Sequence, residues 1–193
     1  TIELLKKERD LVGIYLSAHP LDEYSVVLNS MCNLRCDQLT RDMDKQELAK
    51  TAELTFGGIV SSVTSRFTKN NKPFGIVTIE DFNGQGELAL FGDEWTKWQH
   101  MLKEEYIVYI TATMRQRFAN APNSLELVIK SVEFMNDVKD KRIERFTIYI
   151  DSTLLHNSRM NDLEVLLKSN PGNVPLYFNI HDSEHNTDLT LLS

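Results

Sequence analysis

The hydrophobic period of this chain changes near residue 52, and that change constrains the fold more than any other feature. Before it, Leu4, Leu5, Leu11, Val12, Tyr15 and Leu16 recur at helical spacing. That helix should stop near Ser17, because His19 precedes Pro20 and is pushed out of the helical region. Asp22 is placed to cap a second short helix through Leu28, and Lys45 to Lys50 reads as a third. After residue 52 the spacing turns to two. Leu54 to Val63 opens a strand, and KNNKP at 69–73 is a loop by composition. Phe74 to Asp81 alternates, with Phe74, Ile76, Thr78 and Glu80 on one side and Val77 and Ile79 on the other. Asn83-Gly84 is a hairpin turn, followed by a strand over Glu87 to Phe91. Asp93 is placed to cap a helix carrying Trp95, Trp98 and Leu102. A long strand from Tyr106 to Gln116 follows, with Ile107, Tyr109, Thr111 and Thr113 on one face. Residues 118–124 (FANAPNS) read as a loop, and Leu125 to Met135 as the last strand.

Three strands, a helix and two more strands is the order of the OB fold, a five-stranded Greek-key barrel. The expected class is therefore mainly β with α. Gly57 and Gly58 would supply the kink that lets one strand pair with both sheets. Beyond Arg142 the pattern is strand (Phe146 to Asp151), helix (Arg159 to Ser169), a turn at Asn170-Pro171-Gly172-Asn173, and strands over Pro175 to His181 and Thr187 to Leu191. That helix places Met160, Leu163, Leu166 and Leu167 on one face, and the whole resembles a small α+β unit. The organisation expected is a helical linker segment at 1–51, an OB domain at 52–136 and a small, shortened α+β C-terminal domain at 142–193.

Several function classes are disfavoured. No apolar run approaches the ~20 residues of a membrane-spanning helix, and the charged start TIELLKKERD reads as the edge of an excised piece rather than a targeting segment. The net charge of -7 comes from acidic residues outnumbering basic ones in all three regions, so binding of a polyanion needs a local groove. Cys32 and Cys36 lack the further ligands a zinc site requires and read as reduced structural thiols of a cytoplasmic protein. Of the five histidines, His181 and His185 are four apart in a stretch that reads as a polar turn, the others are scattered, and His19 reads as part of a helix stop. No phosphate-binding glycine loop or nucleophile elbow occurs. Asp42 and Asp44 form the one D-x-D pair, without the strand context of metal-ion nucleotidyl transfer. No catalytic residue, metal site or cofactor is expected.

The candidate binding residues lie in the two loops that flank the ligand face of an OB barrel. The first loop offers Phe67, Lys69 and Lys72, with Arg66 before it and Phe74 after it. The second offers Arg117 and Phe118, preceded by Arg115. Cations would track phosphates, and rings would stack on bases. Against this stands the plainer reading that loops are polar and that Phe67, Phe74 and Phe118 are rim or core. Glu80-Asp81 is assigned to orienting the Asn83-Gly84 turn, and Trp95 and Trp98 to packing helix on barrel.

One segment carries a specific resemblance. Glu8-Arg9-Asp10-Leu11-Val12-Gly13-Ile14-Tyr15-Leu16-Ser17-Ala18-His19-Pro20-Leu21-Asp22-Glu23-Tyr24 is similar to the E-x-x-x-L-G-x-Y-L-S-x-H-P-L-x-x-Y segment of bacterial DNA polymerase III α subunits. The runs G-G-I-V-x-x-V at 57–63, K-x-x-K-P-F-G-I-V-T-I-E-D-F-N-G at 69–84 and E-L-A-L-F at 87–91 resemble that family's OB domain, a pattern shared with anticodon-binding OB domains of some tRNA synthetases. The resemblance implies a non-catalytic, C-terminal piece of a nucleotidyltransferase whose polymerase carboxylates lie upstream. It also implies single-stranded template DNA as a partner of the OB domain, and the τ subunit of the clamp loader as a partner of the C-terminal domain. The family's internal sliding-clamp peptide has no match: Gln46-Glu47-Leu48 and Gln99-His100-Met101-Leu102 lack the terminal aromatic. Two other readings remain at this point, an anticodon-type OB domain binding structured RNA and an OB module that binds only proteins.

Overall fold

The computed structural model describes residues 19–40, 42–118 and 120–192. The helix expected over Leu4 to Leu16 lies outside them, as does most of the segment that carries the resemblance. The chain divides into two compact units, residues 1–139 and 140–193.

The first unit is organised by one long strand, β1 (Leu54–Phe67). Its first half pairs antiparallel with β4 (Ile107–Phe118), from Leu54 opposite Ala112 to Ile59 opposite Ile107. Its second half pairs antiparallel with β2 (Pro73–Glu80), from Ile59 opposite Glu80 to Phe67 opposite Pro73. The register slips between Val60 and Ser62, so the bend sits at Ser61 rather than at the expected glycines. Gly57 and Gly58 answer a different need, close approach: a Cβ on Gly58 would lie 2.1 Å from the Glu80 carbonyl oxygen, and one on Gly57 2.6 Å from that of Val108. With β3 (Gln85–Phe91) and β5 (Ala121–Phe134) the hydrogen-bonded order is β3-β2-β1-β4-β5. This is the strand order of the OB fold. The ladder is open: no backbone pairing joins β3 to β5 among the described residues.

The core follows from the alternation. Val77 and Ile79 of β2 and Leu88 and Leu90 of β3 point inward with Phe56, Val60, Val108 and Ile110. Helix α3 (Asp93–Trp98; α1 and α2 belong to the preceding segment) seals one end, with Trp95 buried in the cluster. Gly75 makes room for it, since a Cβ there would sit 2.3 Å from the indole ring. Asp93 is not the cap of this helix. Gly92 takes that position, Asp93 lies in the first turn, and Leu102 packs into the core beyond the helix end.

The stretch before β1 packs on the barrel. A 3₁₀ turn at Asp22–Tyr24 leads into α1 (Ser25–Met31), where the Asp22 carboxylate accepts from the His19 amide at 2.9 Å instead of capping a helix. His19 Nδ1 accepts the Leu21 amide at 3.2 Å; the helix it was expected to stop lies outside the described residues. The Tyr109 hydroxyl donates to the Met31 carbonyl at 3.0 Å, and Tyr24 donates to Asn136 at 2.7 Å. The Leu39 carbonyl accepts from the Glu87 amide at 3.0 Å, covering part of the β3 edge. Asp81 joins the pieces. One carboxylate oxygen accepts from the Asn83 and Gly84 amides at 2.7 and 3.0 Å, the turn role read from the sequence. The other accepts from the Cys36 amide at 2.9 Å. α2 (Lys45–Leu48) is capped by Asp44, whose carboxylate accepts from Gln46 and Glu47. Burial pushes both cysteine thiols up, Cys32 to about 12, so they pack as neutral groups.

A short helix, α4 (Met135–Arg142), follows β5 and was not expected. The second unit pairs β6 (Phe146–Asp151) parallel with β7 (Leu176–Asp182), which pairs antiparallel with β8 (Thr187–Leu192). The crossover from β6 to β7 carries α5 (Asn157–Ser169). The expected apolar face of α5 is only partly sheltered: Leu163 and Leu167 are half-buried, while Met160 and Leu166 are exposed. No helix among the described residues is long and apolar enough to cross a membrane.

Two stability predictions follow from this packing. Asp81→Ala removes a buried acceptor shared by three amides and should cost about 2–4 kcal/mol in urea unfolding. Gly75→Val should displace Trp95, costing about 3 kcal/mol and red-shifting the emission of a Trp98→Phe background, in which Trp95 is the remaining indole.

Candidate nucleic-acid interface

Pairs that lie opposite each other in an antiparallel sheet point to the same side. The outward side of β1, β2 and β3 is therefore a set of cross-strand rows. Arg66 lies opposite Phe74, and Phe74 opposite Phe91. The next row is Thr64, Ile76 and Ala89, and the next Ser62, Thr78 and Glu87. The Phe74 and Phe91 rings stack with centroids 5.4 Å apart and planes at 18°. Phe91 is 55% exposed, so this stack presents ring surface to solvent.

Two hairpins reach beyond the buried core. The end of β1, from Ser62 onward, is exposed except for the partly covered Val63. Thr68 to Lys72 closes that hairpin: the Thr68 amide donates to the Lys72 carbonyl at 2.8 Å, and Lys69 and Lys72 point to solvent. At the second hairpin the expected loop over 117–124 is largely strand. Phe118 pairs with Ala121 and Gln116 with Leu125, and the Ser124 hydroxyl bridges the Phe118 amide and the Ala121 carbonyl. The stretch read as a loop is here a paired, solvent-facing hairpin end. Arg115, Arg117 and Phe118 project from it, all exposed.

The eight candidate residues thus fall into two groups. Arg66, Phe67, Lys69, Lys72 and Phe74 belong to the β1-β2 hairpin, and Arg115, Arg117 and Phe118 to the β4-β5 hairpin. None is core: Phe67 is 69% exposed, Phe118 is 56% exposed, and Phe74 is half-buried in its stack. Between β3 and β5, where the ladder stays open, lies a cleft of about 780 Å³. Arg115 and Arg117 line it together with Ile76 and Phe91, so it connects the second hairpin with the outward face. Trp98 also lines it, with the Lys97 ammonium 4.3 Å from the ring centroid.

The electrostatics of the cleft are mixed. Lys45, Lys97, Arg115 and Arg117 face Glu87, Asp93, Glu94 and Glu126. Glu126 approaches Arg115 at 3.3 Å and Arg117 at 3.6 Å. The Arg117 guanidinium also lies 5.2 Å from the Phe118 ring centroid. Glu94 accepts the Ile129 amide of β5 at 2.7 Å. Burial raises its carboxyl pKa, the Ile129 bond opposes this, and Glu126 adds to the rise. Sequence reading missed Phe91, Glu94, Lys97 and Glu126. The period-two pattern of Gln85 to Phe91 carried the signal for Phe91, since it sets 85, 87, 89 and 91 on the outward side.

Comparison with known proteins matches the same two regions. Residues 54–135 match the family profile described as OB-fold nucleic acid binding domain. Residues 146–193 match that described as DNA polymerase III alpha subunit, C-terminal domain. The DNA polymerase III subunit alpha of Pseudomonas fluorescens is 26% identical over 174 residues, 90% of this chain and 14% of its own length. That of Borreliella burgdorferi is 27% identical over 199 residues, 98% of this chain and 16% of its own. The chain therefore spans about a seventh of the length of these relatives. A mitochondrial single-stranded DNA binding protein from S. cerevisiae, Rim1, overlays at 16% identity over 43% of this chain and 92% of its own, with a TM-score of 0.31, too low to argue from. With an OB strand order in its first unit and a matching C-terminal unit behind it, the chain resembles the C-terminal region of bacterial DNA polymerase III α subunits.

Proposed function

We propose that this chain binds single-stranded DNA on the outward face of β1-β2-β3, between the two cationic hairpins, as a non-catalytic part of a replicative polymerase. In that setting it holds the template strand ahead of the active site. The exposed Phe74–Phe91 stack, next to Arg66 in the same cross-strand row, is the observation that carries this reading. A base has a ring surface to stack on and its phosphate has a guanidinium within one row. Lys69, Lys72, Arg115 and Arg117 extend the cationic track on either side. The mixed charge of the cleft and the net charge of -7 keep the affinity modest and strongly dependent on salt.

The C-terminal unit serves docking of another replisome subunit. Support comes from apolar side chains at its surface, with Val165 64% exposed on α5 and Leu192 65% exposed on β8.

Fluorescence anisotropy of a labelled single strand of ~20 nucleotides, long enough to span an OB site, tests the main reading. Phe91→Ala should weaken binding roughly tenfold by loss of one stacking partner. Joint replacement of Lys69, Lys72, Arg115 and Arg117 by alanine should weaken it further and flatten the salt dependence. Binding that ignores both changes overturns this face as the site, and absence of binding at low salt removes DNA contact as an activity of this chain.

A further inference from the structure

We infer that Arg115 and Arg117 form a phosphate subsite that Glu126 occupies in the free protein, so that this carboxylate sets the affinity for a single strand by competing with its phosphodiester. The inference rests on the DNA-binding reading above and adds to it a residue that opposes the ligand.

Arg115 lies directly opposite Glu126 in the β4-β5 ladder, which holds both side chains on one side of the sheet. Arg115 Nη2 is 3.3 Å from Glu126 Oε1, and Arg117 Nε is 3.6 Å from Glu126 Oε2. Each carboxylate oxygen thus meets one guanidinium. A phosphodiester offers two unesterified oxygens and can make the same pair of contacts. Phe118, beside Arg117, provides a ring for the adjoining base.

Displacement of the carboxylate is cheap. Both contacts are longer than the ~2.7–2.9 Å of a tight charge-assisted bond. The arginine side chains are 67% and 60% exposed and that of Glu126 34%, so water screens the pair. Exposed ion pairs of this kind contribute little to stability. Glu126 therefore does little to hold the hairpin together, yet it stands where a phosphate would bind. Glu94, half-buried in the same cleft, is a second carboxyl there, and the charge of Glu126 helps to raise its pKa.

Anisotropy titrations of the same ~20-nucleotide strand compare the unaltered chain with Glu126→Gln, with Glu144→Gln as a charge control elsewhere in the chain, and with Arg115→Ala/Arg117→Ala alone and combined with Glu126→Gln. The amide keeps the size of the side chain and releases the arginines. Glu126→Gln should tighten binding about three- to fivefold, as expected for loss of one competing exposed ion-pair partner. Its log-log salt slope should also steepen, by up to about 0.7, because the site meets the strand with one more uncompensated positive charge. Both changes should vanish when the arginines are alanine, and Glu144→Gln should leave binding unchanged. If the unaltered chain binds through its arginines but Glu126→Gln binds no tighter, or only as much tighter as Glu144→Gln, the inference falls and the DNA-binding reading stands. If neither the unaltered chain nor Glu126→Gln binds at low salt, both fall. Circular dichroism and thermal midpoints establish that each variant is folded.

Discussion

The double pairing of β1 is the constraint from which the rest of the first unit follows. A single strand hydrogen-bonds to β4 along its first half and to β2 along its second, and the extra residue at Ser61 turns it from one partner to the other. From Leu54 to Val60, along the stretch paired with β4 and into the bend, all residues but Thr55 are buried. Past the bend the strand leaves the core, and the β1-β2 hairpin stands free with Arg66 and Phe67 near its tip. The same extension on the other side carries β4 and β5 past the start of β1, which puts Arg115 to Phe118 in solvent. Two cationic arms on one barrel are a consequence of strand length and bend.

Closure of this barrel is incomplete in hydrogen-bonding terms, and the incompleteness is chemically organised. The β3 edge receives the Leu39 carbonyl from the preceding segment, and Glu94 takes the Ile129 amide of β5. Side chains and a crossing segment thereby satisfy edge groups that a further ladder would otherwise pair. What remains is a cleft whose cations and carboxylates answer one another. A chain of net charge -7 cannot attract a polyanion by its overall field, so recognition has to come from short-range pairs and ring surfaces.

Much of the fold was legible residue by residue. The alternation of Phe74 to Glu80 predicted which side chains face outward, and the pairing with β3 agrees. Asp81 was assigned to the Asn83-Gly84 turn and forms it. Trp95 was assigned to packing its helix on the barrel and is buried in the core cluster. The departures have physical causes. Asp93 lost the cap to Gly92, which precedes it. The FANAPNS stretch was read as a loop, but strand pairing between Phe118 and Ala121 overrides that local reading. Ser61, an ordinary residue by propensity, takes the bend because two partner strands meet there.

Periodicity by itself determined the element order, the inward and outward sets of each strand, and hence the OB strand order. Those properties depend on spacing along one chain. Which outward residues become neighbours was decided by tertiary structure, because it depends on register between strands far apart in sequence. The stack of Phe74 on Phe91 needs the β2-β3 register, and the pairing of Glu126 with Arg115 needs that of β4 and β5. The contact of Asp81 with Cys36 spans 45 residues and has no local signal at all. A single-residue slip in any of these ladders would turn each side chain to the opposite face, so the interface exists only once the register is set.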